Sequence, residues 1–219
     1  MAEVIIFGIK DFAQLANYYL ENDTNHQVAA FCVSDEYMPD KREFVGKPVI
    51  SFENVYDTHP PGNYKFFVPM SSREVNKARE DIYNSVKSMG YEFISYISSK
   101  ATIFNSEIGE NCFILENNTI QPFTRIGNNV MIWSGNHIGH HSEVGNNVFI
   151  TSHVVISGNC RIGNNCFLGV NSSIRDGLTL EEGTVIGMGS VVLKDTDKWS
   201  VYHGNPAEKI IKPCMEAKI

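Results

Sequence analysis

The chain is short of positive charge. Its 219 residues carry 18 Lys and Arg against 25 Asp and Glu, a formal net charge of −7, whereas binding a run of phosphates needs a basic face. Nucleic acid is thereby excluded as a partner, and Lys209, Lys212 and Lys218 read as a solvated tail. Long apolar runs are missing too. None approaches the roughly 20 residues that span a bilayer, and the opening Met-Ala-Glu-Val-Ile-Ile-Phe-Gly has neither a basic region nor a cleavage site. A cytoplasmic protein with no membrane partner is expected. Cysteine is scarce and odd in number, five in all, which opposes a disulfide framework. Against these absences stand 42% hydrophobic and 20% charged residues, the balance of a globular chain long enough for two modest domains.

What the chain has in excess is a repeat. From Ile108 through Ile114, Ile120 and Ile126 to Ile186 and Val192, every sixth residue is aliphatic, fifteen positions without a skip. A period of six suits neither an α-helix nor an alternating strand. It suits a parallel β-helix in which three short strands make one coil and each flat face contributes one inward aliphatic per coil, so that residues eighteen apart stack. A second column supports the register: the fourth residue after each aliphatic is small throughout, as at Cys112, Thr124, Ser142, Cys160, Cys166 and Ser190, with Leu178 the one large member. Cys112, Cys160 and Cys166 therefore read as compact core residues and not as disulfides or a thiolate metal site. Glycine directly follows the aliphatic at Gly109, Gly127, Gly139, Gly145, Gly163, Gly169 and Gly187, where a sharp bend is expected to demand positive φ. No insertion breaks the register between 108 and 192.

The first 98 residues have another rhythm. Val4–Phe7 reads as a strand, Asp11–Leu20 as a helix with Phe12, Leu15, Ala16 and Tyr19 on one face, and Val28–Val33 as a second strand ending at Ser34-Asp35. After Pro60-Pro61-Gly62 come a strand at Phe66–Val68, a helix from about Ser72 to Met89 with Ser71 or Ser72 and Glu74 at its start, and a strand at Phe93–Ile97. This alternation implies an α/β domain over 1–98, a small parallel sheet resembling half of a dinucleotide fold, followed by an all-β domain over 99–219. In an open α/β sheet ligands bind beyond the strand ends. That makes Gly8 and Asp35 candidate substrate contacts, beside their plainer reading as a turn glycine and a solvated acid.

Four of seven histidines, His137, His140, His141 and His153, fall within one coil length. Histidine is the side chain best suited to proton transfer near neutral pH. A solvated polar corner is the plainer alternative. A zinc site would need ligand spacings that this group lacks, and no metal is expected. Stacking by eighteen puts His140 between Pro122 and Gly158, so that bare backbone faces the imidazole and the Gly158 N–H could steady an oxyanion.

With these residues in view, 99–210 resemble the left-handed parallel β-helix, or hexapeptide-repeat, acyltransferases. The whole chain is similar to bacterial sugar acetyltransferases that pair such a helix with a Rossmann-like N-terminal domain, among them those acetylating the 4-amino group of nucleotide-linked 4,6-dideoxyhexoses in bacillosamine and perosamine synthesis. The matching segment is Ile138-Gly139-His140-His141-Ser142-Glu143-Val144-Gly145, and the Gly-Asn-Pro-Ala tail stands at Gly204–Ala207. The resemblance implies that His140 is the general base and that acetyl-CoA binds along Gly158, Gly169, Val170, Gly187, Met188, Gly189, Asn205 and Pro206. It also implies a nucleotide-sugar acceptor and a homotrimer with sites in grooves between β-helices. His141 stands where the family places an orienting carboxylate. The family's Gly-x-x-Gly-His-Ala start reads Gly8-Ile9-Lys10-Asp11-Phe12-Ala13, without the second Gly and the His, and Met188 replaces a small residue. O-acetylation of a sugar hydroxyl and a non-enzymatic scaffold are the two alternative functions.

Overall fold

The structure, a computed structural model, describes residues 3–211 and 214–216; Lys212 and Lys218 lie outside the described residues. The N-terminal part holds β1 (Glu3–Phe7), α1 (Asp11–Asp23), β2 (Gln27–Val33), β3 (Glu43–Phe44), β4 (Lys47–Ser51), α2 (Val55–Thr58), β5 (Tyr64–Phe67) and α3 (Lys77–Ser88). Its sheet runs in the order β3-β4-β2-β1-β5, with β4, β2, β1 and β5 parallel and β3 antiparallel to β4. The β3–β4 hairpin escapes the sequence pattern because β3 has only two residues and the apolar pair Val49-Ile50 of β4 is flanked by Lys47, Pro48 and Ser51. Its turn, Val45-Gly46, takes positive φ at both residues, 50° and 73°, as a two-residue hairpin turn requires.

From Tyr96 onward two-residue strands wind into a three-sided prism. One face stacks Thr102–Ile103, Thr119–Ile120, His137–Ile138, Val155–Ile156, Ser173–Ile174 and Val191–Val192. A second stacks Glu107–Ile108 through Thr179–Leu180, and a third stacks Tyr96–Ile97, Phe113–Ile114, Met131–Ile132, Phe149–Ile150, Phe167–Leu168, Val185–Ile186 and Val201–His203. Pairing is parallel with an eighteen-residue offset, as in His137↔Val155 and Arg125↔Glu143. The inward column is buried from Ile114 to Val192, Ile108 at the end is partly covered, and the small column from Cys112 to Ser190 is buried at every member. Burying each aliphatic contributes about 1.5–3 kcal/mol. All five cysteines are buried free thiols.

The glycine expectation is corrected. Those that follow the aliphatics do not have positive φ; they are there because coils touch. A Cβ on Gly139 would stand 2.5 Å from the Gly158 nitrogen. The left-handed residues form another period-six column, from Asn111 and Asn117 through His141 to Gly189, at the turn just before each small inward residue.

The α/β part packs on the third face, and the reason lies in that face's outward residues. Phe113, Met131, Phe149, Phe167 and Val185 recur every eighteen residues, whereas the second face shows Glu107, Arg125, Glu143, Arg161 and Thr179. The predicted face of α1 packs on the core, with Ala16 buried and Phe12, Leu15 and Tyr19 partly so; Phe12 and Tyr19 meet the prism, Phe12 edge-on to Trp133 at 5.4 Å and Tyr19 to Phe113 at 6.0 Å. The expected start of α3 is overturned. Glu74, Val75 and Asn76 take positive φ and the helix begins at Lys77, because Val75 and Asn76 are drawn into the interface and Asn76 Nδ2 donates to the Asn165 and Cys166 carbonyls at 3.0 and 3.1 Å. The expected strand at Phe93–Ile97 is divided: Phe93 bridges to Phe66, and Tyr96–Ile97 pairs with Phe113–Ile114 as the first rung of the prism.

The C-terminal tail continues the third face. Val201–His203 pairs with Val185–Ile186, then Glu208–Ile210 folds back antiparallel, and Lys209 bonds Asp197 at 2.9 Å. Lys209 thus lies in a strand and not in a loose tail. Among the described residues no helix is long and apolar enough to cross a membrane.

Candidate active site

A corner side chain of the prism is surrounded mainly by the coils before and after it. The corner between the first and second faces carries Gln121-Pro122-Phe123, Gly139-His140-His141, Ser157-Gly158-Asn159 and Arg175-Asp176-Gly177. His140 and His141 are both exposed there. The His140 backbone N–H donates to Gln121 Oε1 at 3.0 Å, and the next coil is tied on by Asn159 N–H donating to the His140 carbonyl at 2.9 Å. A Cβ on Gly158 would meet His140 Cε1 at 2.7 Å and Nε2 at 2.9 Å, so the imidazole occupies the space that only glycine leaves open. No hydrogen bond among the described residues takes up the Gly158 N–H. His140 Nδ1 and His141 Nδ1 are 3.1 Å apart, a hydrogen bond that leaves Nε2 of His140 facing outward over Gly158.

Three residues here escape the sequence reading although the eighteen-residue stack points to them. Asp176, one coil beyond Gly158, has Oδ1 3.1 Å from the same Cβ position. Phe123, one coil before His141, stacks on its ring with centroids 4.8 Å apart, and Gln121 holds the His140 amide.

The other two histidines of the cluster lie elsewhere. His137 is half-buried on the first face, and His153 is on the opposite corner of that face, its ring filling the space beside Gly135. Among the described residues no group of three or more His, Cys, Asp or Glu could hold a metal ion.

Of the residues expected to hold the coenzyme, Gly158 lies at the His140 corner and the others follow the opposite one. Gly169 is pressed against the next coil, where a Cβ would meet Met188 N at 2.6 Å, and Gly189 N–H donates to the Val170 carbonyl at 2.8 Å. Val170 and Met188 expose apolar side chains, Met188 to 71%. The ring of His203, which the sequence reading passes over, covers Gly187. Asn205 and Pro206 lie in the turn closed by Val191 N–H to the Gly204 carbonyl at 3.0 Å and Ala207 N–H to the Val191 carbonyl at 2.8 Å. A pantetheine arm is part amide and part apolar, and this corner offers both bare backbone and exposed apolar side chains.

Gly8 and Asp35 are where the pattern puts them, beyond the ends of neighbouring strands β1 and β2. Gly8 has φ 108° and donates to the Cys32 carbonyl at 2.8 Å, and Asp35 is exposed with its N–H bonded to Glu53 at 3.0 Å. The α/β part covers the third face, and the His140 corner is the one that borders only the other two. A single chain therefore brings His140, His141 and Gly158 together, but separates them from Gly8 and Asp35 and, by the width of one face, from Gly169–Val170 and Gly187–Gly189.

Comparison with known proteins shows what the coils resemble. Residues 105–136 and 123–158 match the bacterial transferase hexapeptide (six repeats) model, and 160–194 match the hexapeptide repeat of succinyl-transferase. Over those stretches the coils are similar to hexapeptide repeats. A search among curated proteins finds no sequence match. Among solved structures, a variant of perosamine N-acetyltransferase from Caulobacter crescentus, in complex with CoA and GDP-perosamine, superposes with a TM-score of 0.85 at 22% identity, over 97% of this chain and 98% of that one. The acetyltransferase domain of PglB from Neisseria gonorrhoeae, in complex with acetyl coenzyme A, gives 0.82 at 19% identity over 95% and 98%. WeeI from Acinetobacter baumannii gives 0.81 at 20% over 96% and 100%. The chain shares their fold over nearly its whole length.

Proposed function

We propose that the chain is an acetyl-CoA-dependent sugar N-acetyltransferase, transferring acetyl to the amino group of a nucleotide-linked amino-dideoxy sugar in bacterial surface glycan synthesis. The observation that carries this reading is the His140 imidazole lying over Gly158 with Nε2 free and Nδ1 bonded. The fold shared with perosamine N-acetyltransferase in complex with CoA and GDP-perosamine, and with the acetyltransferase domain of PglB in complex with acetyl coenzyme A, supports it. The left-handed winding and the Rossmann-like character of 1–98 belong to the same reading, as does a cytoplasmic location, where acetyl-CoA is made available.

The free amine of the acceptor attacks the thioester carbonyl, forming the new C–N bond. His140 Nε2 accepts the amine proton, and the Gly158 N–H steadies the oxyanion, a contribution of roughly 2.7–4 kcal/mol in known cases. Collapse breaks the C–S bond, and the proton held by His140 passes to the leaving thiolate. The attacking nitrogen must be unprotonated, so the site binds the amine as free base.

The separation of the residue sets within one chain supports a homotrimer. Around a threefold axis the His140 corner of one protomer faces the Gly169–Gly189 corner and the Gly8 and Asp35 loops of the next, with 1–98 gripping the acceptor and 99–219 performing the transfer. Mixing His140→Ala protomers with Asp35→Ala protomers tests this directly. Activity regained in the mixed oligomers supports shared sites, and mixtures no more active than either parent contradict them. Offering acceptors that differ only in a 4-amino or a 4-hydroxyl group tests the chemistry, with CoA release expected from the amine alone.

A further inference from the structure

The left-handed corner column has fourteen members, and eleven are Asn or Gly, the residues that tolerate positive φ. Phe123, His141 and His153 are the exceptions, with φ of 66°, 57° and 59°. Phe123 and His141 are stacked neighbours on the same corner, and both side chains face outward from the prism, Phe123 60% exposed. Neither is held there by the core. Histidine, like asparagine, is enriched in the left-handed region, so Phe123 is the one member of the column whose bulk the backbone disfavours; such conformations persist where another demand retains the side chain, and they cluster at functional sites.

We infer that Phe123 is a positioning residue for the proposed acetyl transfer, seating the His141 ring so that a neutral imidazole, in place of a carboxylate, sets the tautomer of the base. The inference rests on the function proposed above. Its geometry is a chain of contacts: the Phe123 ring 4.8 Å from the His141 ring, His141 Nδ1 3.1 Å from His140 Nδ1, and His140 Nε2 over Gly158. A hydrogen bond between two imidazole nitrogens needs one N–H and one lone pair. For His140 to offer a lone pair at Nε2, its Nδ1 must carry the proton and donate to His141, which then keeps its own proton on Nε2. The bond survives uptake of one proton at His140 Nε2, because His140 Nδ1 still donates. A second proton, on His141 Nδ1, breaks it.

The charged groups around the pair are Asp176, across Gly158, and Glu107, Arg125 and Glu143, which share a hollow with Phe123 and His141. None of them takes the orienting place on Nδ1 of His140. A carboxylate there would favour the imidazolium and raise the pH at which the base becomes available.

The test uses the full chain and three variants. Phe123→Asn, which suits the backbone, should be at least as heat-stable as wild type yet have kcat lower by about tenfold or more, with KM for acetyl-CoA unchanged; Phe123→Tyr, which keeps the ring, should restore most of the rate. His141→Glu should move the acid limb of the kcat/KM profile to higher pH. Imidazole 15N spectra of the unliganded protein should show His140 protonated at Nδ1 and His141 at Nε2, and tautomer averaging at both in Phe123→Asn. Those spectra decide the pairing even if no amino sugar is acetylated, which would sink the proposed function alone. Full kcat in Phe123→Asn, an unmoved acid limb in His141→Glu, or averaged tautomers in wild type would each overturn the inference.

Discussion

A Cβ added to Gly158 would fall 2.9 Å from Nε2 of His140. The backbone at 158 is not in the left-handed region, so alanine is conformationally allowed, and the atoms it meets, the His140 ring and Asp176 Oδ1, are ends of exposed side chains. Gly158→Ala should fold with an unchanged melting temperature but push the imidazole aside, lowering kcat by about 10²-fold. A variant as active as wild type would show that the ring need not occupy that space.

Ile150 is fully buried in the middle of the prism, paired with Ile132 and Leu168. Ile150→Ala should cost about 2–5 kcal/mol in denaturant unfolding. Ile150→Asp should leave no folded protein, since the aliphatic column around it offers a carboxylate no partner. Normal stability in either variant would contradict the inward register.

Arg79 has no exposed surface, and its guanidinium meets only neutral acceptors: Asn147 O at 2.7 Å, Asn76 Oδ1 at 3.0 Å, Ser71 O at 3.1 Å and, at 3.4 Å, Asn129 O. Burial lowers its pKa to about 9. This fork ties α3 to two coils at once. Arg79→Ala leaves those carbonyls unpaired and should lower unfolding free energy by about 3 kcal/mol or more. Arg79→Lys should restore little of it, because one ammonium cannot span the acceptors. Rescue by lysine would mean that charge alone matters.

The Asp23 carboxylate, at the end of α1, accepts from Ser99 N–H at 2.8 Å and Tyr96 Oη at 2.7 Å. These bonds, Ser99 foremost, hold its pKa below the ordinary 3.8. A carboxyl lowered by folding stabilises fully above its unfolded value and loses that contribution as pH falls through its folded one. Wild type should therefore melt above Asp23→Asn at about pH 6, with the gap closing as pH falls below about 4. A gap independent of pH would show that the charge is not what holds the prism to α1.

The prism is legible in sequence because its period belongs to the chain itself. Inward residues repeat every six, and residues eighteen apart stack. His140 and Gly158 follow from the same arithmetic. What does not follow is set by contacts between elements. Asn76 leaves the helix because Asn165 and Cys166 offer it carbonyls. That Phe12 and Tyr19 meet the prism is set by the aromatic rings Trp133 and Phe113 on its third face. Phe123 belongs to the site through a stack that no local motif marks. The glycines after the aliphatics look like turn residues in sequence, and only the distance to the next coil shows that close approach selects them.

The measurement that tests the account most directly is release of free CoA thiol by the purified protein, wild type beside His140→Ala, with acetyl-CoA and UDP-, dTDP- or GDP-linked 4-amino-4,6-dideoxyhexoses. Wild type should release thiol with at least one of these acceptors, and His140→Ala, folded and still binding acetyl-CoA, should be slower by about 10²–10⁴-fold. Equal rates in the two proteins would remove His140 as the base. No acceptor-dependent release by wild type would contradict sugar N-acetylation itself.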